Sequence, residues 1–148
     1  MKHWILSLAL LVACQSLQAA EGSLNWQTSL PAAQAKAKEG KKLVLLDFTG
    51  SDWCGWCIKL QKEIFQTPEF TEYAKKNLEL VEVDFPQRKK ISESQKQANE
   101  ALQEKYGIQG FPTLIILDST GKKVGELGYQ KGGPKPFIAR LEKLRSKS

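Results

Sequence analysis

Residues 43–57 read LVLLDFTGSDWCGWC, and the fold of the chain turns on how this stretch is read. After Lys42 it is continuously apolar to Phe48 apart from Asp47, contains Val44, and has the length of a strand. It lacks the alternation of a half-wet strand, so it predicts a strand covered on both faces. Thr49 to Trp53 has loop composition. From Cys54 onward the period changes. Cys57, Leu60 and Ile64, with Ile58 and Phe65 beside them, recur at helical spacing until Thr67 and Pro68. Two cysteines three positions apart therefore lie where a buried strand gives way to a helix.

Outward from that junction the chain keeps alternating. Upstream, Pro31 suits the first turn of a helix running to about Glu39, with Gly40 as its stop. Downstream, Pro68 starts a second helical piece that Asn77 ends. Leu78 to Phe85 alternates apolar and acidic residues, which predicts a strand with one wetter face. After a polar stretch, Ser92 to Tyr106 predicts a helix closed by Gly107. Thr113 to Asp118 predicts another buried strand, and Ser119 to Lys123 a turn into the strand Val124 to Tyr129. The last helix carries Phe137, Ile138, Leu141 and Leu144 as its apolar stripe. Strands joined by a helical crossover should be parallel, and strands joined by a tight turn antiparallel. The expectation is an α/β domain: a mixed four-stranded sheet, a parallel pair plus an antiparallel hairpin, with helices on both faces.

The chain has 148 residues, 41% hydrophobic and 26% charged. That is one globular domain with enough chain for a core. No internal repeat points to a solenoid. The first residues differ in kind. Lys2 precedes an apolar run from Ile5 to Ala13, and small residues follow, the pattern of a secretory signal peptide. The run is shorter than the roughly 20 residues of a membrane-spanning helix. Cleavage after Ala19 or Ala20 sets the boundaries: signal peptide at 1–20 and one domain at 21–148. Leu11-Val12-Ala13-Cys14 also fits a lipobox, in which case Cys14 becomes a lipidated N-terminus. Otherwise Cys14 is one more apolar residue of the run.

Either cut puts the domain outside the cytoplasm and simplifies its chemistry. Cys54 and Cys57 become the remaining thiols, and His3, the single histidine, departs. That excludes Cys-His and Ser-His catalysis and a four-ligand Cys/His zinc site within one chain. The net charge of +6 becomes +5 without Lys2. Its lysines are scattered over helices, many beside glutamates, as on solvated helix faces rather than on a nucleic-acid surface.

The pair Cys54-Gly55-Trp56-Cys57 then has three readings. At a helix N-terminus, unpaired N–H groups and the helix dipole would stabilise a Cys54 thiolate. Cys57, one turn deeper, could attack the resulting mixed disulfide. Gly55 would allow a tight turn, and Trp53 and Trp56 would offer apolar surface to a substrate chain. A metal clip would need ligands the domain lacks. A permanent disulfide of this span closes almost no loop and adds little stability. The redox pair accounts for most of the pattern, with the clip and the staple as alternatives.

Two separated strings, LVLLDFTGSDWCGWC and YGIQGFPTLIILD, resemble the active-site loop and the second signature loop of the thioredoxin superfamily. The resemblance spans about Asn25 to Lys147. It implies a thioredoxin-like fold and a redox-active Cys54–Cys57 disulfide with no added cofactor and no metal. It also implies a cis peptide before Pro112, which would lie against the dithiol. Phe111 would present backbone groups to a substrate peptide, and Gly128 would border the same groove. Asp47 matches the family's buried acid and would accept the Cys57 proton; alternatively it is a strand-end residue serving loop N–H groups.

FTGSDWCGWCIK, VEVDFPQ and the lysine- and glutamine-rich insert are similar to the periplasmic DsbH-type oxidoreductases of chlamydial bacteria, a reducing branch. That similarity implies disulfide-containing exported proteins as substrates and a membrane thiol donor of the DsbD kind; a monomer with no nucleic-acid partner is the accompanying expectation. An oxidase or isomerase, or a binding module with a structural disulfide, are the rival functions. The chain departs from ordinary thioredoxin in having Gly-Trp between the cysteines, where thioredoxin has Gly-Pro, and a loop one residue longer. Asp52 reads as a loop or cap residue and Lys59 as a helix-surface lysine. The helix Ser92 to Tyr106 is longer than the family needs, and either docks a partner or is a solvated insertion.

Overall fold

A computed structural model describes residues 23–148; the expected signal peptide at 1–20, with His3 and Cys14, lies outside the described residues. The sheet has five strands, β1 (Trp26–Gln27), β2 (Leu43–Thr49), β3 (Leu78–Asp84), β4 (Thr113–Leu117) and β5 (Lys123–Leu127), in the spatial order β1-β3-β2-β4-β5. The pairs β1–β3 and β2–β3 are parallel, while β2–β4 and β4–β5 are antiparallel. The helices are α1 (Leu30–Gly40), α2 (Gly55–Leu60), α3 (Pro68–Asn77), α4 (Glu93–Tyr106) and α5 (Pro134–Arg145). This is the expected mixed sheet with one strand more. β1 is two residues long, too short for any period to show, and exists because β3 offers it an edge while the Trp26 ring packs 5.2 Å from that of Phe65.

Local signals place most helix ends. The Ser29, Thr67 and Ser92 hydroxyls accept N–H groups of the first turns of α1, α3 and α4. Gly107, at φ 65°, closes α4 as expected. α1 differs: Gly40 remains helical and Lys41 takes the left-handed position at φ 52°, its N–H bonded to the Ala37 carbonyl. The helix after Cys54 also differs from a plain α-helix. Beyond Leu60 it widens into a π-helical turn, Gln61–Phe65. Ile64 and Phe65 are both fully buried there, although they are consecutive.

Both faces of the sheet are covered. Leu43, Leu45, Leu80, Leu114 and Ile116 pack under α2, α3 and α5, where Phe65, Phe70 and Phe137 form a triangle with ring centroids 4.9–5.9 Å apart. Val44, Leu46, Phe48, Val81 and Ile115 face Ala33 and Ala37 of α1 on the other side. β3 corrects the expectation of one wetter face. It lies inside the sheet between β1 and β2, so its acids are drawn into the structure instead of lining a solvated side. By strand alternation Glu79 points to one face, and Glu82 and Asp84 to the face carrying Leu78 and Leu80. α4 docks through Leu102 and Tyr106, which pack against the second cluster, that of Phe48 and Val81, and through a polar anchor. Its one fully covered residue, Asn99, donates to the Asp84 carbonyl at 2.8 Å and accepts from Gln95 at 2.8 Å.

Candidate active site

Cys54 is the N-cap of α2. Its Sγ accepts the Cys57 N–H at 3.3 Å, and its carbonyl accepts that of Ile58 at 3.0 Å. The two sulfurs are joined as a disulfide, with Cα atoms 5.2 Å apart. Cys54 keeps 7% of its surface exposed and Cys57 2%, which makes Cys54 the sulfur nearer to solvent. Gly55 does not play the expected part. A Cβ there would meet nothing within 4 Å, so glycine leaves open surface beside Cys54 rather than relieving a tight turn.

The loop before the cysteines is bound down at every residue. The Gly50 carbonyl accepts the N–H groups of Trp53 and Cys54 at 3.2 and 2.8 Å. Ser51 donates its N–H and hydroxyl to the Asp84 carboxylate at 2.9 and 2.6 Å. The Asp52 carboxylate accepts three successive backbone N–H groups, those of Gln87, Arg88 and Lys89, at 2.7–2.9 Å. The Arg88 guanidinium donates to the Asp52 carbonyl. The bonds from Gln87 and Lys89 hold the Asp52 carboxyl down at about 2. Asp52 is thus the cap-type residue expected, but its partners lie 35 to 37 positions along the chain.

Trp53 crosses the same gap, its Nε1 donating to the Phe85 carbonyl at 2.8 Å. It can lie there because Gly50 has no side chain: a Cβ on Gly50 would fall 2.6 Å from Trp53 Nε1. Gly50→Ala is therefore expected to displace the indole, break its bond to Phe85 and lower stability by about 1–3 kcal/mol, read by urea unfolding. An unchanged midpoint would show that the indole has another seat of equal energy.

An aromatic platform surrounds Cys54. Trp53 meets Phe111 edge-on at 6.0 Å, and Phe111 stacks on Phe85 at 5.1 Å. On the other side Trp56 packs 5.2 Å from Tyr129, whose hydroxyl donates to Glu63 at 2.5 Å. Lys59 lies over both the Trp56 and Tyr129 rings and 3.8 Å from Glu63, so its ammonium is engaged at the surface. Trp53, Trp56 and Ile58 are about half exposed, an apolar surface at the mouth of the site. The Phe111–Pro112 peptide is cis. Gly128 adjoins it, since a Cβ on Gly128 would lie 3.8 Å from the Pro112 carbonyl oxygen. Nothing in the local spacing of Phe85 and Tyr129 sets them apart from core aromatics, so the sequence alone does not mark them as members of this platform.

Beneath lies an acid cluster of which the sequence showed one member. Asp47 is 1% exposed and its Oδ1 has no hydrogen-bond partner. It shares a sheet face with Leu43 and Leu45, the face on which α2 packs. In the β2–β3 register Asp47 is paired with Glu82, and Thr49 with Asp84. The Lys89 ammonium reaches back to Asp84 Oδ2 at 2.9 Å and Glu82 Oε1 at 3.7 Å. Burial, then the negative charges of Glu82 and Asp84, push the Asp47 carboxyl up to about 8, against the opposing effect of Gln61. Burial also raises Glu82, with Lys89 opposing. An open groove of about 410 Å³ runs beside this cluster, lined by Trp26, Thr49, Cys57, Gln61, Lys62 and Glu82 among others. A visible signal for Glu82 and Asp84 was the spacing of "VEVD", which repeats acids on one face of a strand next to the strand of Asp47.

Comparison with known proteins agrees with this geometry. Residues 30–145 match the thioredoxin-like domain family. The chain is 38% identical over 128 residues to the disulfide bond reductase DsbH of Chlamydia pneumoniae, covering 86% of this chain and 76% of that protein. It is 32% identical to the thioredoxin-related protein DsbJ of the same organism, covering 82% of this chain but 36% of DsbJ. A solved DsbH oxidoreductase structure superposes with a TM-score of 0.80 at 36% identity, over 90% of this chain and 92% of that one. A cysteine pair at a helix start beside a cis-proline loop, on this sheet and with these relatives, makes the chain a member of the thioredoxin superfamily, a thiol-disulfide oxidoreductase of the DsbH type.

Proposed function

We propose that the protein is exported and reduces disulfides in periplasmic proteins. The observation that carries the reading is the placement of the two sulfurs: Cys54 at the mouth of an apolar platform, and Cys57 buried behind it on the sheet face that holds Asp47. A substrate segment would lie across Trp53, Gly55 and Trp56, with Phe111 and Pro112 bordering it. The Cys54 thiolate attacks one sulfur of the substrate disulfide; the other sulfur leaves as a thiolate and takes a proton from water. Cys57 then gives its proton to Asp47 and attacks Cys54 Sγ. The second substrate thiolate departs, and the Cys54–Cys57 disulfide is left. An acid raised to about 8 is a base matched to a thiol near 8.5, which an ordinary carboxylate is not. No cofactor beyond the disulfide is required, and a membrane dithiol donor of the DsbD kind would return two electrons. Residues 1–20 would direct export, with 21–148 as the working monomer.

The direction is tested by equilibrating the pair against a thiol buffer and trapping the redox states. A potential near that of thioredoxin, about −270 mV, is expected for a reductant. A value near the strong periplasmic oxidants, about −120 mV, would reverse the direction.

A further inference from the structure

Lys59 is the charged member of the platform around Cys54. It follows Trp56 by three positions and precedes Glu63 by four, so helical spacing sets the three side chains together. Its ammonium lies 5.2 Å from the centre of the Trp56 ring and 5.5 Å from that of Tyr129. Two rings from distant parts of the chain thus hold one cation at the mouth of the site. Its carboxylate partner among the described residues is Glu63, whose Oε1 stands 3.8 Å off, beyond hydrogen-bond distance. The other Glu63 oxygen is taken by the Tyr129 hydroxyl. The Lys59 side chain is still 41% exposed and Trp56 56%. The other charges of this region are more tightly matched. Asp52 spends its carboxylate on three backbone N–H groups, and Arg88, on the Trp53 side, donates to the Asp52 carbonyl. Asp84 and Glu82 are answered by Lys89. Of these groups Lys59 has the loosest partner.

We propose that Lys59 is a specificity-determining residue: it selects disulfides whose cysteines stand beside Asp or Glu, pairing its ammonium with that carboxylate while the adjoining substrate chain lies on Trp56. This preference rests on the proposed reduction of protein disulfides and names a class of substrate for it. An extended chain advances about 3.3 Å per residue. With a substrate cysteine joined to Cys54, the next one or two residues therefore lie over Gly55 and Trp56. Gly55 leaves that path open, since no side chain rises from it and none stands within 4 Å of where its Cβ would be. A carboxylate carried along the path comes within reach of an ammonium stationed over the Trp56 ring. The pair forms against apolar surface, where it is screened less than in open water. Lys59 exchanges no electron and no proton; the bonds made and broken are those of the dithiol reaction.

The test uses three peptides, each closed by one disulfide and identical except for the residues flanking both cysteines, which are Glu, Gln or Lys. The pre-reduced protein is mixed with each in a single turnover, and the second-order rate constant is divided by that of dithiothreitol with the same peptide. The division cancels the effect of the flanking charge on the peptide's own disulfide. At low ionic strength the Glu peptide is expected to react about two- to fivefold faster than the Gln peptide, the size of an exposed ion pair, and the Lys peptide more slowly than either. High salt should level the three rates. Lys59→Met should level them in dilute buffer while still reducing the Gln peptide, and Lys59→Arg should keep the order. Equal rates in the native protein, an order that survives in Lys59→Met, or a uniform slowing there with the ratios unchanged would overturn the proposal and leave the dithiol chemistry standing. If the native dithiol reduces none of the peptides, the reductase reading fails, and this preference with it.

Discussion

Cys57→Ser is expected to abolish turnover, by about a thousandfold or more, while leaving Cys54 able to attack. The physical reason is the division of labour between the sulfurs. Cys54 is the N-cap, where N–H groups of the first turn, including that of Cys57 at 3.3 Å, face its sulfur. These groups favour its thiolate whether or not residue 57 is a thiol. Serine at 57 has no sulfur with which to resolve the mixed disulfide, so substrate stays covalently bound to Cys54. The variant should accumulate adducts visible on a non-reducing gel and released by dithiothreitol. Cys54→Ser should be equally inactive and accumulate none, because Cys57 is too buried to meet a substrate disulfide. A protein that used the pair only as a staple would capture nothing in either variant.

Asp47→Asn should have two opposite effects of large size. In the folded oxidised protein the Asp47 carboxyl titrates near 8, against 3.8 ordinarily. Between those values the folded state holds a proton that the unfolded chain has lost. Stability contributed through this group is therefore complete near pH 4, declines as pH rises towards 8, and is level above that. One pKa unit corresponds to about 1.4 kcal/mol, so the buried carboxylate costs several kcal/mol at pH 9. Asparagine carries no charge. The variant should match the native protein below about pH 4 and exceed it by about 3–5 kcal/mol at pH 9, measured by urea unfolding across that range. It should also resolve mixed disulfides about a hundredfold more slowly, having no base for the Cys57 proton. Parallel stability curves would show that Asp47 is not the titrating group, and an undiminished rate that Cys57 uses another base. Greater stability with less activity is the expected mark of a group kept for its chemistry.

Much of this was legible in the letters because it depends on neighbours in the chain. The unbroken apolar run at Leu43 to Phe48, the change to helical period at Cys54 and the crossover lengths led to the fold class and the strand directions. The Cys54–Cys57 spacing led to the dithiol, and the proline in GFPT to the loop beside it. β1 escaped because two residues have no period, and its strand state comes from the edge of β3. The π-helical turn escaped because burying both Ile64 and Phe65 is a demand of the core rather than of the helix. The supposed tight turn at Gly55 assumed a steric conflict that the folded chain does not contain.

The chemistry divides along the same line. The choice of sulfur as the reacting atom, and which cysteine leads, follow from residue type and from position in the first turn of a helix, both local matters. What the acid beneath them does is not local. Asp47 is an ordinary aspartate in the sequence. It is driven up to about 8 only because folding buries it and lays Glu82 and Asp84 beside it from a strand more than thirty residues away. Asp52 and Lys89 likewise acquire their roles only when the loop before the cysteines meets the chain leaving β3. Burial and through-space charge have no signature in chain order, so that part of the site came into existence with the sheet register.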